Sequence, residues 1–135
     1  MKNRILRYLS LLLALSWAGV IYYLSSQPGT DTPMLFPLQD KLLHAAVFAI
    51  LGFLGMGALE AATHGYHGWQ VWLITALVTL YAVLDELHQR FVPGRTADVF
   101  DVMADIVGGL LGIWVMYTLV KACCRKCNSS RPVHD

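Results

Sequence analysis

Twelve polar and charged residues lie near the ends of long apolar segments, and their types could bind a charged ligand. They are Asp40, Lys41, His44, Asp85, Glu86, His88, Gln89, Arg90, Arg95, Asp98, Asp101 and Asp105. The chain is 56% hydrophobic and only 14% charged, so this concentration of ionisable groups indicates a site rather than a solvated surface. Carboxylates and cations together could bind an ionic head group, and histidines beside them could exchange protons.

Helical spacing places many of these side chains on shared faces. Asp98, Asp101 and Asp105 are three and four residues apart, which puts three carboxylates on one stripe of a helix. Similar spacings relate Asp40 and Lys41 to His44, and Asp85 to His88 and Gln89. Ionisable groups at membrane depth are costly unless they face one another or a wet pocket. The pattern therefore predicts one shared polar pocket.

We predict that ten of the residues bind a ligand and that no metal or cofactor is held. Arg95 and Lys41 would contact an anion, because Arg offers a bidentate fork for phosphate or carboxylate. His44 could change the charge of the pocket near neutral pH. The predicted ligand-binding set is Asp40, Lys41, His44, Asp85, Glu86, Gln89, Arg95, Asp98, Asp101 and Asp105.

Purely structural roles are alternatives for several of these side chains. Asp98 could cap a helix, with Asp101 in its first turn, where the positive end of the helix dipole favours acids. Asp40 could cap another helix in the same way. Glu86 and Arg90 have the spacing of an i, i+4 salt bridge.

Four apolar segments must position these residues. They cover residues 5–24, about 42–62, 69 to about 84 and about 102–120, and a helix needs about 20 residues to cross the hydrocarbon. The third reaches that length only by including residues 85–88. The sequence therefore predicts an all-α, four-helix transmembrane bundle over residues 1–120. A net charge of +1 without a long basic run gives no indication of nucleic-acid binding.

The distribution of Lys and Arg predicts the orientation. Seven of the ten lie in the two tails, so the positive-inside rule places both termini in the cytoplasm and the polar connections outside. The basic start of the chain could instead belong to a cleavable signal peptide, but its apolar stretch is long and no small-x-small cleavage site follows. The expected location is a bacterial plasma membrane.

Residues 121–135 are expected to form a basic, disordered cytoplasmic tail containing three cysteines. Cys124 and Cys127 have the spacing of a metal or redox pair, but two ligands do not make a site, and the basic residues favour contact with anionic lipid. Gly108 and Gly112 form a small-residue motif, and Ala45 begins a second small face through residue 52. These faces could pair within the bundle, which we favour, or form a homo-oligomer.

Three short motifs in order resemble the VanZ-like membrane proteins. They are Asp40-Lys-Leu-Leu-His44, Asp85-Glu-Leu-His-Gln89, and Phe91-Val-Pro-Gly-Arg-Thr-Ala-Asp98, which leads through Asp101 into Gly108-Gly-Leu-Leu-Gly112. The resemblance covers about residues 20–115 and includes the serine pair at 25–26. Asp105 departs from the family pattern, which usually has Asn there, so an ionisable acid replaces a neutral amide.

The resemblance implies a small integral protein of the cell envelope, associated with susceptibility to glycopeptides such as teicoplanin. From the residues we expect an outward-facing pocket that binds an anionic or amphipathic envelope molecule, with a membrane lipid or lipid-linked precursor as partner. The alternative is a membrane enzyme acting on a lipid head group, with or without a divalent metal. No Gly-x-Ser-x-Gly elbow, His-Glu-x-x-His or phosphate loop supports catalysis.

Overall fold

Four helices account for most of the chain, as the apolar segments predicted. The computed structural model describes residues 2–29, 36–63 and 67–129, and within them the side chains of all but residues 2, 3 and 124–129. The helices are α1 (Lys2–Ser25), α2 (Gln39–Thr63), α3 (Gly68–Gln89) and α4 (Val99–Ser129). The all-α prediction is confirmed for the described residues, which contain no strand.

Each helix is long and apolar enough to cross a membrane. The candidate spans are Arg4–Ser25, Gln39–Thr63, Gly68–Gln89 and Val99–Cys123. At most 33% of the residues in their most apolar windows are buried within the protein. Large apolar side chains such as Trp72, which is 78% exposed, therefore cover the outside of the bundle. Hydrocarbon, unlike water, is a favourable solvent for such a surface, and the chain is a multi-pass membrane protein.

Small residues let α2 and α4 run side by side and parallel. A Cβ atom at Gly108 would collide with the Ala45 carbonyl oxygen, and one at Gly112 with that of Ala49. Gly52 meets Gly109 in the same way. The two small faces predicted from the sequence therefore pack against each other inside the bundle. Backbone contact at this spacing fixes the axial register of α2 against α4.

Two hydrogen bonds to backbone carbonyls attach α1 to its neighbours. Trp17 Nε1 donates to the Val47 carbonyl oxygen of α2 at 2.8 Å, and Tyr81 Oη of α3 donates to the Ala18 carbonyl oxygen at 2.7 Å. A buried Trp or Tyr needs a partner for its polar hydrogen, and hydrocarbon supplies none. Phe48, fully buried, stacks against the same Tyr81 ring at 5.9 Å between centroids.

The segment between α3 and α4 folds back towards the end of α1. Gly94 has a positive φ of 75°, and the Arg95 amide donates to the Val92 carbonyl oxygen at 3.1 Å. Pro followed by a positive-φ Gly is the pattern of a type II turn. Gly29, just after α1, donates its amide to the Pro93 carbonyl oxygen at 3.1 Å. This turn brings Arg95 against α1.

Helix α4 continues beyond the predicted span. Its backbone is helical to Ser129, so the segment 121–129, expected to be disordered, is helical. The sequence contains no helix-terminating signal in this segment, because neither Gly nor Pro follows Val120 before residue 132. The side chains of Cys124 and Cys127, which have the spacing of a metal or redox pair, lie outside the described residues. Residues 64–66, between the second and third apolar segments, also lie outside them.

Candidate functional site

Lys41 is the centre of a cluster of three carboxylates. Its Nζ lies 2.6 Å from Asp98 Oδ2, 2.6 Å from Asp101 Oδ1 and 3.1 Å from Asp40 Oδ2. An ammonium has three N–H donors, so each has one acceptor. The ammonium group is the counter-ion of these acids, and it has no N–H left for an exogenous anion.

Asp98 caps α4 and also binds Lys41, so its two predicted roles coexist. Its Oδ1 accepts the Phe100 amide at 2.9 Å, the contact expected of a residue that precedes a helix starting at Val99. The hydrogen bond to Lys41 lowers the pKa of the Asp98 carboxyl. Asp101 lies in the first turn of α4, where the helix dipole favours an acid.

Glu86 contacts the start of α4 rather than Arg90. Its Oε1 accepts the Asp98 amide at 2.6 Å, across the segment that joins α3 to α4. No ion pair between Glu86 and Arg90 occurs among the described residues, so the prediction from i, i+4 spacing is wrong. The connection between α3 and α4 folds back and places the Asp98 amide beside Glu86, whereas the Arg90 side chain is exposed. The cap predicted for Asp40 is also absent, because α2 already begins at Gln39.

His44 and Asp105 form a second contact between α2 and α4, one turn deeper than Lys41. His44 Nδ1 lies 3.1 Å from Asp105 Oδ1. Asp105 is fully buried, and its Oδ2 has no hydrogen-bond partner in the part of the chain that the structure describes. Glu86 Oε2 is likewise buried without a partner among those residues. The interior of this end is therefore acid-rich, with two carboxylate oxygens to which no described group donates.

Asp85 belongs to a separate group at the α1–α3 contact. Its Oδ2 accepts hydrogen bonds from Ser25 Oγ at 2.8 Å and from Gln89 Nε2 at 3.1 Å. All three side chains are buried, with Asp85 only 5% exposed. Both donors are neutral, and no described ion pair involves Asp85. The carboxyl group is therefore hydrogen-bonded but has no ion-pair partner among the described residues.

A serine and a histidine meet beside this group. Ser26 Oγ donates to the Tyr22 carbonyl oxygen at 2.7 Å and lies 3.0 Å from His88 Nε2. A hydroxyl has one hydrogen, so His88 is the donor in the second contact while that hydrogen points to the backbone. The His88 ring also stacks on Tyr22 at 4.9 Å between centroids. These contacts anchor α3 to α1.

Arg95 crosses from the turn to the C-terminal end of α1. Its Nε donates to the Gln27 carbonyl oxygen and its Nη2 to the Leu24 carbonyl oxygen, both at 3.2 Å. A cation is favourable at this end of a helix. These two bonds leave other guanidinium N–H groups, including both on Nη1, without an acceptor among the described residues.

A cavity of about 660 Å³ opens between the end of α1 and the start of α2. Its polar lining includes Asp40, His44, Asp85, Gln89 and Arg95. Its apolar lining consists mainly of Ile21, Leu24, Leu43, Val47 and Phe48. Pockets of this volume suit small molecules and the ends of lipids.

The predicted residues therefore divide into two groups. Five of them line the cavity, as just described. The other five lie behind it between α2, α3 and α4 and bond to one another, to backbone, or to Asp40 and His44 of the first group: Lys41, Glu86, Asp98, Asp101 and Asp105. The ten side chains lie at one end of the bundle, but the cavity is lined by half of them.

Sequence reasoning omitted Ser25, Ser26 and His88 from the predicted set. The serines complete the hydrogen bonds of Asp85 and His88 across the α1–α3 contact. The sequence signal for the serines was their position, because two adjacent polar residues end an apolar segment at a depth where lipid offers no hydrogen-bond partner. Such a pair indicates a bond to another helix.

A protein-family model matches most of the chain, including the residues of the site. The family model described as VanZ/LLP1 matches residues 10–121, which overlap all four spans and include the ten predicted residues. The chain belongs to the VanZ/LLP1 family. No curated protein and no solved structure matches it.

Membership in the VanZ/LLP1 family confirms the resemblance carried by the three motifs. Each motif of this VanZ/LLP1 protein contributes to both parts of the site. The first and third supply the Lys41 cluster and also Asp40, His44 and Arg95 of the cavity wall, and the second supplies Asp85 and Gln89 to the cavity and Glu86 to the start of α4. Among the described residues, no group of three His, Cys, Asp or Glu side chains is arranged to hold a metal ion. The Lys41 ammonium occupies the place between the carboxylates.

Proposed function

We propose that this VanZ/LLP1 protein binds an amphipathic envelope molecule with an anionic group in the cavity between α1 and α2. The observation that carries the proposal is the composition of the cavity wall. Arg95, with unused N–H groups, lies at the same cavity as the aliphatic side chains of Leu24 and Leu43. A lipid or lipid-linked precursor combines an anionic phosphate with hydrocarbon in the same way.

Arg95 is the anion contact in this proposal, and Lys41 is structural. All three N–H groups of Lys41 bind carboxylates, whereas Arg95 faces the cavity. The backbone carbonyls of Gln27 and Leu24 hold the guanidinium in place, so little rotamer entropy is lost on binding. An anion would be held by a preorganised cation.

The cavity faces outward in this proposal, and the protein lies in a bacterial plasma membrane. The basis is the excess of Lys and Arg in the two tails, since α1 starts and α4 ends on the side opposite the cavity. An envelope molecule in the outer leaflet would then reach the cavity without crossing the membrane. Binding there could alter the response to a glycopeptide, which acts on envelope precursors outside the cell.

The direct test measures binding of dioctanoyl phosphatidylglycerol to the purified protein in detergent. Arg95→Ala should weaken binding on the order of tenfold to a hundredfold, the range expected for a lost charge-assisted hydrogen bond. Arg90→Ala is the matched control, because Arg90 is exposed and does not line the cavity. Equal affinities for the wild type and Arg95→Ala would remove the proposal.

The cellular test compares teicoplanin susceptibility in cells that express the wild type, Arg95→Ala or Arg90→Ala. We expect loss of any protective effect for Arg95→Ala only, at equal accumulation of the three proteins in the membrane fraction. A protective effect that persists in Arg95→Ala would separate the phenotype from the cavity.

A further inference from the structure

No cation among the described residues forms an ion pair with Asp85. The side chain is 5% exposed and lies at the cavity wall, where Oδ2 receives the Ser25 and Gln89 hydrogen bonds. Oδ1 accepts no hydrogen bond from the described residues. A buried carboxylate with neutral donors alone is expensive, because a formal charge needs a counter-charge as well as hydrogen bonds.

The Lys41 and Arg95 cations contact groups other than Asp85, and the exposed Arg90 does not line the cavity. Lys41 has three other carboxylates within 3.1 Å, and it does not line the cavity. Arg95 donates to the carbonyl oxygens of α1 and forms no ion pair among the described residues. A cationic group of a ligand in the cavity would therefore give Asp85 the ion-pair partner that the described residues do not supply.

One further group on the α2 side of the cavity favours a cationic guest. Asp40 lines the cavity, and its carboxylate, 42% exposed, shares Lys41 with two other acids. The cavity thus carries carboxylate acceptors for N–H donors in addition to the guanidinium of Arg95.

We propose that the ligand class is zwitterionic: a primary ammonium that binds Asp85, attached to a phosphate that binds Arg95. This inference rests on the proposed function and narrows it to head groups of the phosphoethanolamine type. The ammonium supplies the missing counter-charge, and its hydrogens are donors for Asp85 Oδ1 and for the other acceptors of the cavity. The aliphatic wall formed by residues such as Ile21 and Val47 assigns the rest of the ligand to lipid rather than to a free phosphate ester.

The experiment measures binding of four probes to the full-length protein in detergent. They are dioctanoyl phosphatidylethanolamine, dioctanoyl phosphatidylcholine, dioctanoyl phosphatidylglycerol and free phosphoethanolamine. We expect the ethanolamine lipid to bind about tenfold more tightly than the glycerol lipid, the scale of one charge-assisted contact. The choline lipid should be weaker than the ethanolamine lipid, because a quaternary ammonium has no N–H. Free phosphoethanolamine should be weakest, because it leaves the aliphatic wall uncovered.

Asp85→Asn tests the residue. Its side-chain oxygen can still accept from Ser25 and Gln89, so the fold is retained while the charge is removed. We expect the preference for the ethanolamine lipid over the glycerol lipid to disappear. Glu60→Gln removes one negative charge outside the cavity, near the opposite end of α2, and should keep the preference. If Asp85→Asn does not fold, the order of affinities of the wild type for the four probes is the test of the ammonium contact.

The outcomes separate this inference from the proposed function. Equal binding of the ethanolamine and glycerol lipids by the wild type, or a preference that survives in Asp85→Asn, overturns the ammonium contact and leaves an anion-binding cavity. Binding of neither lipid overturns both. Tighter binding of free phosphoethanolamine than of the lipids would keep the head-group assignment but overturn the lipid source.

Discussion

Lys41 Nζ lies 2.6 Å from Asp101 Oδ1, and this ion pair joins the first turns of two parallel helices. The same ammonium contacts Asp98 and Asp40, so one cation holds three acids at the end of the bundle. Asp101 is nearly buried, with 11% of its side chain exposed. The cluster forms the wall behind the cavity and fixes where α2 begins relative to α4.

Replacing this cation should destabilise the protein. Lys41→Met leaves three carboxylates without their counter-ion, and we expect the free energy of unfolding to fall by about 2 to 4 kcal/mol. Unfolding in detergent, followed by circular dichroism against denaturant, measures the change. Arg90→Met is the control, because the Arg90 side chain is exposed and forms no ion pair or side-chain hydrogen bond among the described residues, and it should change stability by less than about 0.5 kcal/mol. Equal stability of Lys41→Met and the wild type would mean that the cluster is held by other contacts.

A methyl group at Gly108 should also disturb the site, although Gly108 lies outside it. The added Cβ would collide with the Ala45 carbonyl oxygen and push α2 from α4. Overpacking of this kind costs about 1 to 3 kcal/mol, so the melting temperature of Gly108→Ala should fall. Gly19→Ala is the control, because nothing lies within 4 Å of a Cβ there. A melting temperature of Gly108→Ala that matches Gly19→Ala would contradict the close packing.

Segment lengths and alternate crossing were enough to predict which end of the bundle is polar. Hydropathy located four spans, and sequential crossings put the ends of α1 and α3 beside the starts of α2 and α4. Helical spacing also placed Asp98, Asp101 and Asp105 on one face, and all three contact residues of α2. These features follow from period and length alone.

Partners across helices could not be predicted, because they depend on rotation and axial register. Glu86 had the spacing for Arg90 but binds the Asp98 amide, since the turn at Gly94 returns the chain to α3. Lys41 had the right charge to bind an anionic ligand. The axial register of α2 against α4, set by the close packing at Gly108, instead places its ammonium beside carboxylates of the same chain. Short-range patterns carry no information about either contact.

Asp105→Asn should be neutral or stabilising near neutral pH. The amide oxygen can still accept from His44 Nδ1, while the buried Oδ2 that lacks a donor is replaced by a neutral group. We expect stability equal to the wild type or higher by about 1 kcal/mol. Asp105→Leu removes the acceptor for His44 and should lower stability. Comparable loss in both variants would show that the charge itself, rather than the hydrogen bond, is required.

Asp98→Asn isolates the effect of charge on the start of α4, because Asn also caps helices well. Lys41 lowers the pKa of the Asp98 carboxyl in the folded protein, so the pair stabilises the fold above the ordinary aspartate range and loses this effect as pH falls through the lowered pKa. The difference in melting temperature between the wild type and Asp98→Asn should stay constant from neutral pH to about pH 5 and narrow only in stronger acid. Narrowing at milder pH would contradict a lowered pKa.

The side of the membrane that holds the cavity can be measured with single cysteines. Thr96 is exposed in the connection beside Arg95, and Cys123 is exposed near the other end of the bundle. One variant keeps only Cys123; the other replaces the three native cysteines with Ser and carries Thr96→Cys. In intact cells a membrane-impermeant maleimide should label the second variant and not the first, because the basic tails favour the cytoplasm. After lysis both should react. The reverse labelling pattern in intact cells would mean that the cavity opens to the cytoplasm, and it would exclude ligands confined to the outer leaflet.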